Sequence, residues 1–183
     1  MSRLNQKKVE TPTEKPQIDP PEDMWRTYFE GRESVWQDRV ITPIRSEIGK
    51  FFTFRAASAR PIPVIVESPY EGGTPRCGNN VAYLRTIMRY LLQNNFAPMA
   101  SHELYTGCLS DTTSEERKLG MQAGFSWHHK AYAQLFFTDR GFTEGMRAGQ
   151  NHWQSIYSGW NGAPQFEIKL GSDGKPMLTR MGF

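Results

Sequence analysis

The chain has 183 residues, 38% of them apolar, enough for one sizeable α/β core with appendages and too few for two comfortable domains. No apolar run approaches the roughly 20 residues of a membrane-spanning helix, and residues 1–8 are polar without a signal-peptide core, so a soluble, cytoplasmic protein with no membrane partner is expected. The net charge of +3 balances 22 basic against 19 acidic residues spread along the chain, with no basic block beyond Lys7-Lys8, which makes nucleic acid a poor candidate partner.

Residues 1–23 hold four prolines, nine charges and almost no large apolar side chain, so they are expected to be a disordered tail. From residue 24 to 60 the texture changes. Trp25, Tyr28, Phe29, Val35, Trp36, Val40 and Ile41 recur at helical spacing, and Gly31, Pro43 and Gly49 are expected to divide the region into short helices packed on the core.

The core is expected to begin at residue 61. Val64-Ile65-Val66 is an apolar run typical of a central parallel strand, followed by a loop with adjacent glycines, Gly72 and Gly73. Val81, Leu84, Ile87, Met88, Leu91 and Leu92 then form one helical stripe, with Asn79 or Asn80 as its N-cap. A second strand is expected at 97–102. Thr113-x-x-Glu116 reads as a capping box opening a helix that turns Leu119, Ala123 and Trp127 inward. A third strand at 133–139 and a helix from about 143 to 153 complete the alternation, which implies a mainly parallel sheet with right-handed crossovers. The remainder, 154–183, reads as a loop and a β-hairpin turning at Gly171-Ser172-Asp173-Gly174.

Open parallel sheets hold ligands at the carboxyl ends of their strands. The crevice there would gather Glu67, Ser68, Tyr70, Gly72, Gly73, His102, Glu103, Asp139 and Glu144. The glycine loop is neither a Walker loop nor G-x-G-x-x-G, so spacing alone leaves a phosphate cradle and a plain turn both open. Among the carboxylates, Glu67, Glu103, Asp111, Asp139 and Glu144 have the chemistry for acid or nucleophile work at a sugar carbon, although Asp111 also suits a helix cap. Four scattered histidines give no metal signature, and Cys77 and Cys108 lie in no C-x-x-C arrangement, so reduced thiols, no metal and no cofactor are expected.

The segments "VIVESPYEGGTPRCGNNVAYLRTIMRYLLQNNFAPMASHELYT", "DTTSEERKLGMQAG" and "LFFTDRGFTEGMRAG" resemble a family of phage and bacterial proteins. That family is similar in turn to the nucleoside 2-deoxyribosyltransferases and the 2'-deoxynucleoside 5'-phosphate N-hydrolases. The resemblance covers residues 62 to about 153. It implies a flavodoxin-like three-layer sandwich between the N-terminal helical extension and the C-terminal hairpin.

The resemblance also implies a nucleoside or nucleotide ligand. The loop from Ser68 to Gly73, with Tyr70 and Gly72, would hold its sugar or phosphate, and Asp139, Thr143, Gly145 and Met146 would contact it from the other side; His102, placed in the crevice by strand direction, would join the first group. Members of such families often share sites across a homodimer. Their last helix carries a glutamate in a pattern like G-x-x-x-E, and here that position is Gly149; an acidic residue usual before the third strand is replaced near Tyr132. Glu144, Asp139 or Glu103 would have to supply the chemistry. The expectation is a nucleotide-binding protein with weak or no turnover. Its alternatives are an active N-glycosidic hydrolase or transferase, and a phage or host-defence interaction protein using the aromatic extension.

Overall fold

The computed structural model describes residues 28–52, 60–157 and 163–182, so the expected disordered tail, Trp25 and the loop at 158–162 lie outside the described residues. Five strands make one sheet in the order β2-β1-β3-β4-β5. They are β1 (Ile62–Glu67), β2 (Phe96–Met99), β3 (Ala133–Phe137), β4 (Gln165–Leu170) and β5 (Pro176–Met181). β1 runs parallel to β2 and β3, β3 runs parallel to β4, and only β5 is antiparallel. This is an α/β flavodoxin-like sandwich. The C-terminal hairpin is not an appendage: its first strand is the fourth parallel strand of the sheet.

Alternation along β1 and β3 divides the chemistry of the two faces. Val64, Val66, Ala133, Leu135 and Phe137 share a buried cluster with Phe166 and Ile168 of β4 and with Tyr83, Leu84, Ile87 and Leu91 of helix α2 (Cys77–Gln93). The opposite face is more polar. It carries Ile65 and Glu67 of β1, Gln134 of β3 and Gln165 of β4, covered by the last helix.

The N-terminal extension forms one continuous helix, α1, through Glu33–Trp36, a π-helical stretch at Gln37–Ile41, and Thr42–Phe51. Pro43 and Gly49 do not break it. Pro43 falls in the first turn of the last stretch, where its missing N–H and ring crowding are absorbed by the wider π turn just before it. Trp36, Val40, Ile41, Ile44 and Ile48 are each no more than 1% exposed and belong to the main core. At about 1.5–3 kcal/mol for each fully buried large apolar side chain, this face keeps the extension docked.

Helix α2 starts at Cys77, three residues before Asn80, so neither Asn79 nor Asn80 caps it. Asn80 is buried and donates from Nδ2 to the Tyr70 carbonyl at 3.2 Å, pinning the loop after β1. Leu92, expected on the apolar stripe, is 59% exposed at the helix end. The buried face is instead completed by Tyr83 and Tyr90.

After β2 come the short helix α3 (Ser101–Leu104) and helix α4 (Ser114–Phe125). Leu119 and Trp127 are not inward: they are 57% and 45% exposed. Trp127 lies beyond the end of α4, and its indole N–H donates to the Tyr105 hydroxyl at 2.8 Å. Helix α5 (Glu144–Tyr157) buries Met146, Gly149 and Trp153.

Candidate functional site

β1 ends at Glu67, and the chain then turns over the carboxyl edge of the sheet. Ser68, 4% exposed, lies within 3.1 Å of His102 Nε2 in the short helix that follows β2. Burial brings the His102 imidazole down to about 4, so it is neutral at pH 7 and its ring nitrogen can accept the Ser68 proton. The Tyr70 ring lies 6.0 Å from that of His102, and burial, the largest influence on it, raises its phenol above the usual value.

The loop from Glu71 to Thr74 is a closed turn. Thr74 returns both its amide and its hydroxyl to the Glu71 carbonyl, at 3.2 and 2.7 Å, and the Cys77 amide bonds to the Thr74 carbonyl at 3.1 Å. Gly73 has φ +78°, and a Cβ at Gly72 would stand 2.6 Å from the Tyr70 ring and 2.8 Å from Asp111 Cβ. The two glycines are therefore explained by turn geometry and by close packing. The loop amides of Thr74, Arg76 and Cys77 are already engaged, which leaves a poor cradle for phosphate.

Between this loop, α3, α4 and the start of α5 lies a cavity of about 320 Å³. Ser68, Tyr70, His102, Thr143, Glu144, Gly145 and Met146 all line it, seven of the residues picked out from the sequence. Gly72 instead borders a shallower groove that shares Glu71, Asp111, Arg117 and Glu144 with the cavity, and Gly73 borders neither. Glu144 is exposed at the mouth, in the first turn of α5.

The other two proposed carboxylates are committed elsewhere. Asp139 accepts the Tyr83 hydroxyl at 2.5 Å and the Leu170 amide at 2.6 Å, so it clasps α2 to the end of β4 and does not line the cavity. Glu103 pairs with Arg85 of α2 at 2.7 Å, away from the lining. Asp111 does not cap α4 but accepts from Arg117 at 2.6 Å.

Several lining groups were not singled out from the sequence. Arg117, Glu116 and Tyr105 all face the cavity. Glu116, read as half of a capping box, accepts the Ser110 amide instead, and Thr113 makes no side-chain cap. The lining thus carries four carboxylates (Glu71, Asp111, Glu116 and Glu144) against the single guanidinium of Arg117.

Behind the cavity edge, Glu67 is held between β3 and α5. Gln134 Nε2 donates to its Oε1 at 3.0 Å, and its carboxyl group lies against Gly149, where a Cβ would come within 2.5 Å of Oε1. Burial pushes the Glu67 carboxyl up to about 8, opposed only in part by the Gln134 hydrogen bond. Gln134 Oε1 accepts from Gln165 at 2.7 Å, and Gln165 Oε1 from Gln154 at 3.3 Å. Three carboxamides run head to tail toward one acid. Among the described residues no three His, Cys, Asp or Glu side chains gather as a metal site, and Cys77 and Cys108 are free thiols.

A parallel α/β sandwich with a half-open cavity over the carboxyl ends of β1 and β2 defines the class of domain. Residues 62–156 match the family described as a domain of unknown function, DUF7768, and the chain belongs to that family. No curated protein and no solved structure matches. The family match stops before β4, so the sheet continues past it by two strands.

Proposed function

We propose that the cavity binds a nucleoside, preferring the unphosphorylated form, in a protein of the deoxyribosyltransferase-like type. The observation that carries this reading is the lining. Carboxylates and the Ser68–His102 pair suit sugar hydroxyls, while Tyr70, Tyr105, Leu109, Met121 and Met146 offer an apolar bed for a base. The volume of about 320 Å³ is at the small end of the roughly 300–1,000 Å³ usual for such sites.

Charge separates nucleoside from nucleotide. With His102 neutral and Arg117 already paired to Asp111, a phosphate dianion would meet an excess of carboxylate. Unit charges about 4 Å apart near a protein surface repel by up to about 4 kcal/mol, so a preference of at least about tenfold for the nucleoside is expected. Titration calorimetry with a panel of deoxynucleosides and their 5'-monophosphates tests this. Tighter binding of the monophosphates would refute the charge argument, and binding of neither would refute the reading. A cytoplasmic setting and a homodimer belong to the same proposal, and sedimentation at micromolar concentration tests the dimer.

A further inference from the structure

The cavity carries an imbalance of charge that a neutral nucleoside would leave uncompensated. Arg117 and Asp111 neutralise each other, which leaves Glu71, Glu116 and Glu144 lining the space with no cationic partner among the described residues. The hydrogen bonds to two of these acids come from neutral groups: Glu116 accepts the Ser110 amide, and Asn80 Nδ2 lies 3.5 Å from Glu71 Oε2. The His102 imidazole adds no positive charge, being neutral at pH 7. Arg76 borders only the neighbouring groove and is exposed, so water and salt screen it. The rest of the wall is aromatic and soft. Tyr70 and Tyr105 line it from different loops, and Met121 and Met146 line it from α4 and α5.

We propose that the preferred ligand of the cavity is a nucleoside whose base carries a positive charge, as a ring-alkylated purine does. The proposal rests on the nucleoside reading and narrows it. A cation in the cavity offsets carboxylates that otherwise repel one another, whereas a neutral base leaves that repulsion in place. Tyr70 and Tyr105 supply a second recognition element, because the face of a phenol ring attracts a cation.

The kind of cation follows from the same lining. A compact ammonium is strongly hydrated and loses much of that hydration on entering a half-apolar space, so its gain is small. A charge delocalised over a flat ring is weakly hydrated, and the ring also offers apolar faces to the two tyrosines and the methionine thioethers. A volume of about 320 Å³ has room for a single nucleoside and excludes an extended polycation.

Titration calorimetry on the full chain with 1-methyladenosine, cationic at pH 7, and its neutral isomer N6-methyladenosine separates charge from size. The two share one sugar, so contacts to its hydroxyls cancel from the ratio of affinities. The cation is expected to bind at least about tenfold more tightly. Raising salt from about 0.05 to about 0.5 M should cut that advantage at least about threefold. Glu71→Gln combined with Glu144→Gln keeps shape, and it should weaken binding of the cation at least about fivefold more than binding of the neutral isomer. Equal or tighter binding of the neutral isomer, a preference indifferent to salt, or one that survives the double variant overturns the charge proposal and leaves the nucleoside reading standing. Binding of adenosine but of neither methylated isomer does the same. Absence of binding by all three removes both. The wild-type comparison and its salt dependence need no variant, so they decide the matter even where the double variant does not fold.

Discussion

Replacing Gly149 with alanine tests the interlock between α5 and β1. In an exposed helix interior this change would stabilise by about 1 kcal/mol through backbone entropy. Here the new methyl group would stand 2.5 Å from Glu67 Oε1, 3.1 Å from its Cδ and 3.3 Å from Gln134 Nε2. The carboxyl group ends a flexible chain but is enclosed, so it can yield only by giving up the 3.0 Å bond from Gln134. A buried donor left unsatisfied costs about 1–3 kcal/mol, and overpacking adds a similar amount. The net expectation is a loss of about 1–5 kcal/mol, or a fall in Tm of at least about 2–4 °C for a chain of this size. Urea melts of Gly149→Ala beside Gly49→Ala make the comparison sharp, because a Cβ at Gly49 meets nothing within 4 Å and that variant should gain up to about 1 kcal/mol. Adding Glu67→Ala to Gly149→Ala should recover at least about 1 kcal/mol relative to additivity. A Gly149→Ala protein as stable as wild type, with no coupling to position 67, would refute the interlock.

Asp139→Asn should destabilise by about 1.5–3 kcal/mol, since it weakens the charge-assisted bonds from Tyr83 and Leu170, and should leave nucleoside affinity unchanged; a loss of affinity without loss of stability would return Asp139 to the site. Acid should weaken the fold through His128, whose imidazole is brought down to about 3 by burial first and then by His152 and His129. A depressed histidine means that the unfolded chain takes up the proton first, so stability falls as pH drops below about 6.5, by about 2 kcal/mol at pH 5; His128→Gln should lose less between pH 7 and 5 in urea melts, and an identical pH dependence would exclude His128. Glu67 acts in the opposite sense: its raised value means that stability is highest below about pH 4.5 and declines until about pH 8. Glu67→Gln should flatten that decline, as followed by thermal melts across the range.

The sheet was legible because its strands are apolar runs bounded by turn residues, and the site because its position follows from strand direction alone. What periodicity could not supply was the partner of each polar side chain. Asp139 and Glu103 sit at strand and helix ends where a crevice carboxylate belongs, but Tyr83 and Arg85, both on α2, claim them. Those contacts span 56 and 18 residues. Leu92, Leu119 and Trp127 have the right spacing for a buried stripe, yet each lies near an element end or on a face left exposed among the described residues. Glu67 was visible as an acid closing an apolar strand. Its enclosure depends on Gly149, whose significance appears only when β1 and α5 are brought together.

Three glutamines, Gln154 of α5 and Gln165 and Gln134 of the sheet under it, form a conductor of orientation. A carboxamide has one donating and one accepting end, so the direction of each amide dictates that of the next. Gln134 and Gln165 hold matched positions on neighbouring strands, and Gln154 also reaches the Gly182 carbonyl just past β5. The proton affinity of Glu67 is thus set partly from the far edge of the sheet, by strands that lie beyond the stretch matching the family. Substitutions at Gln154 or Gln165 are therefore expected to shift the proton affinity of an acid that neither side chain touches.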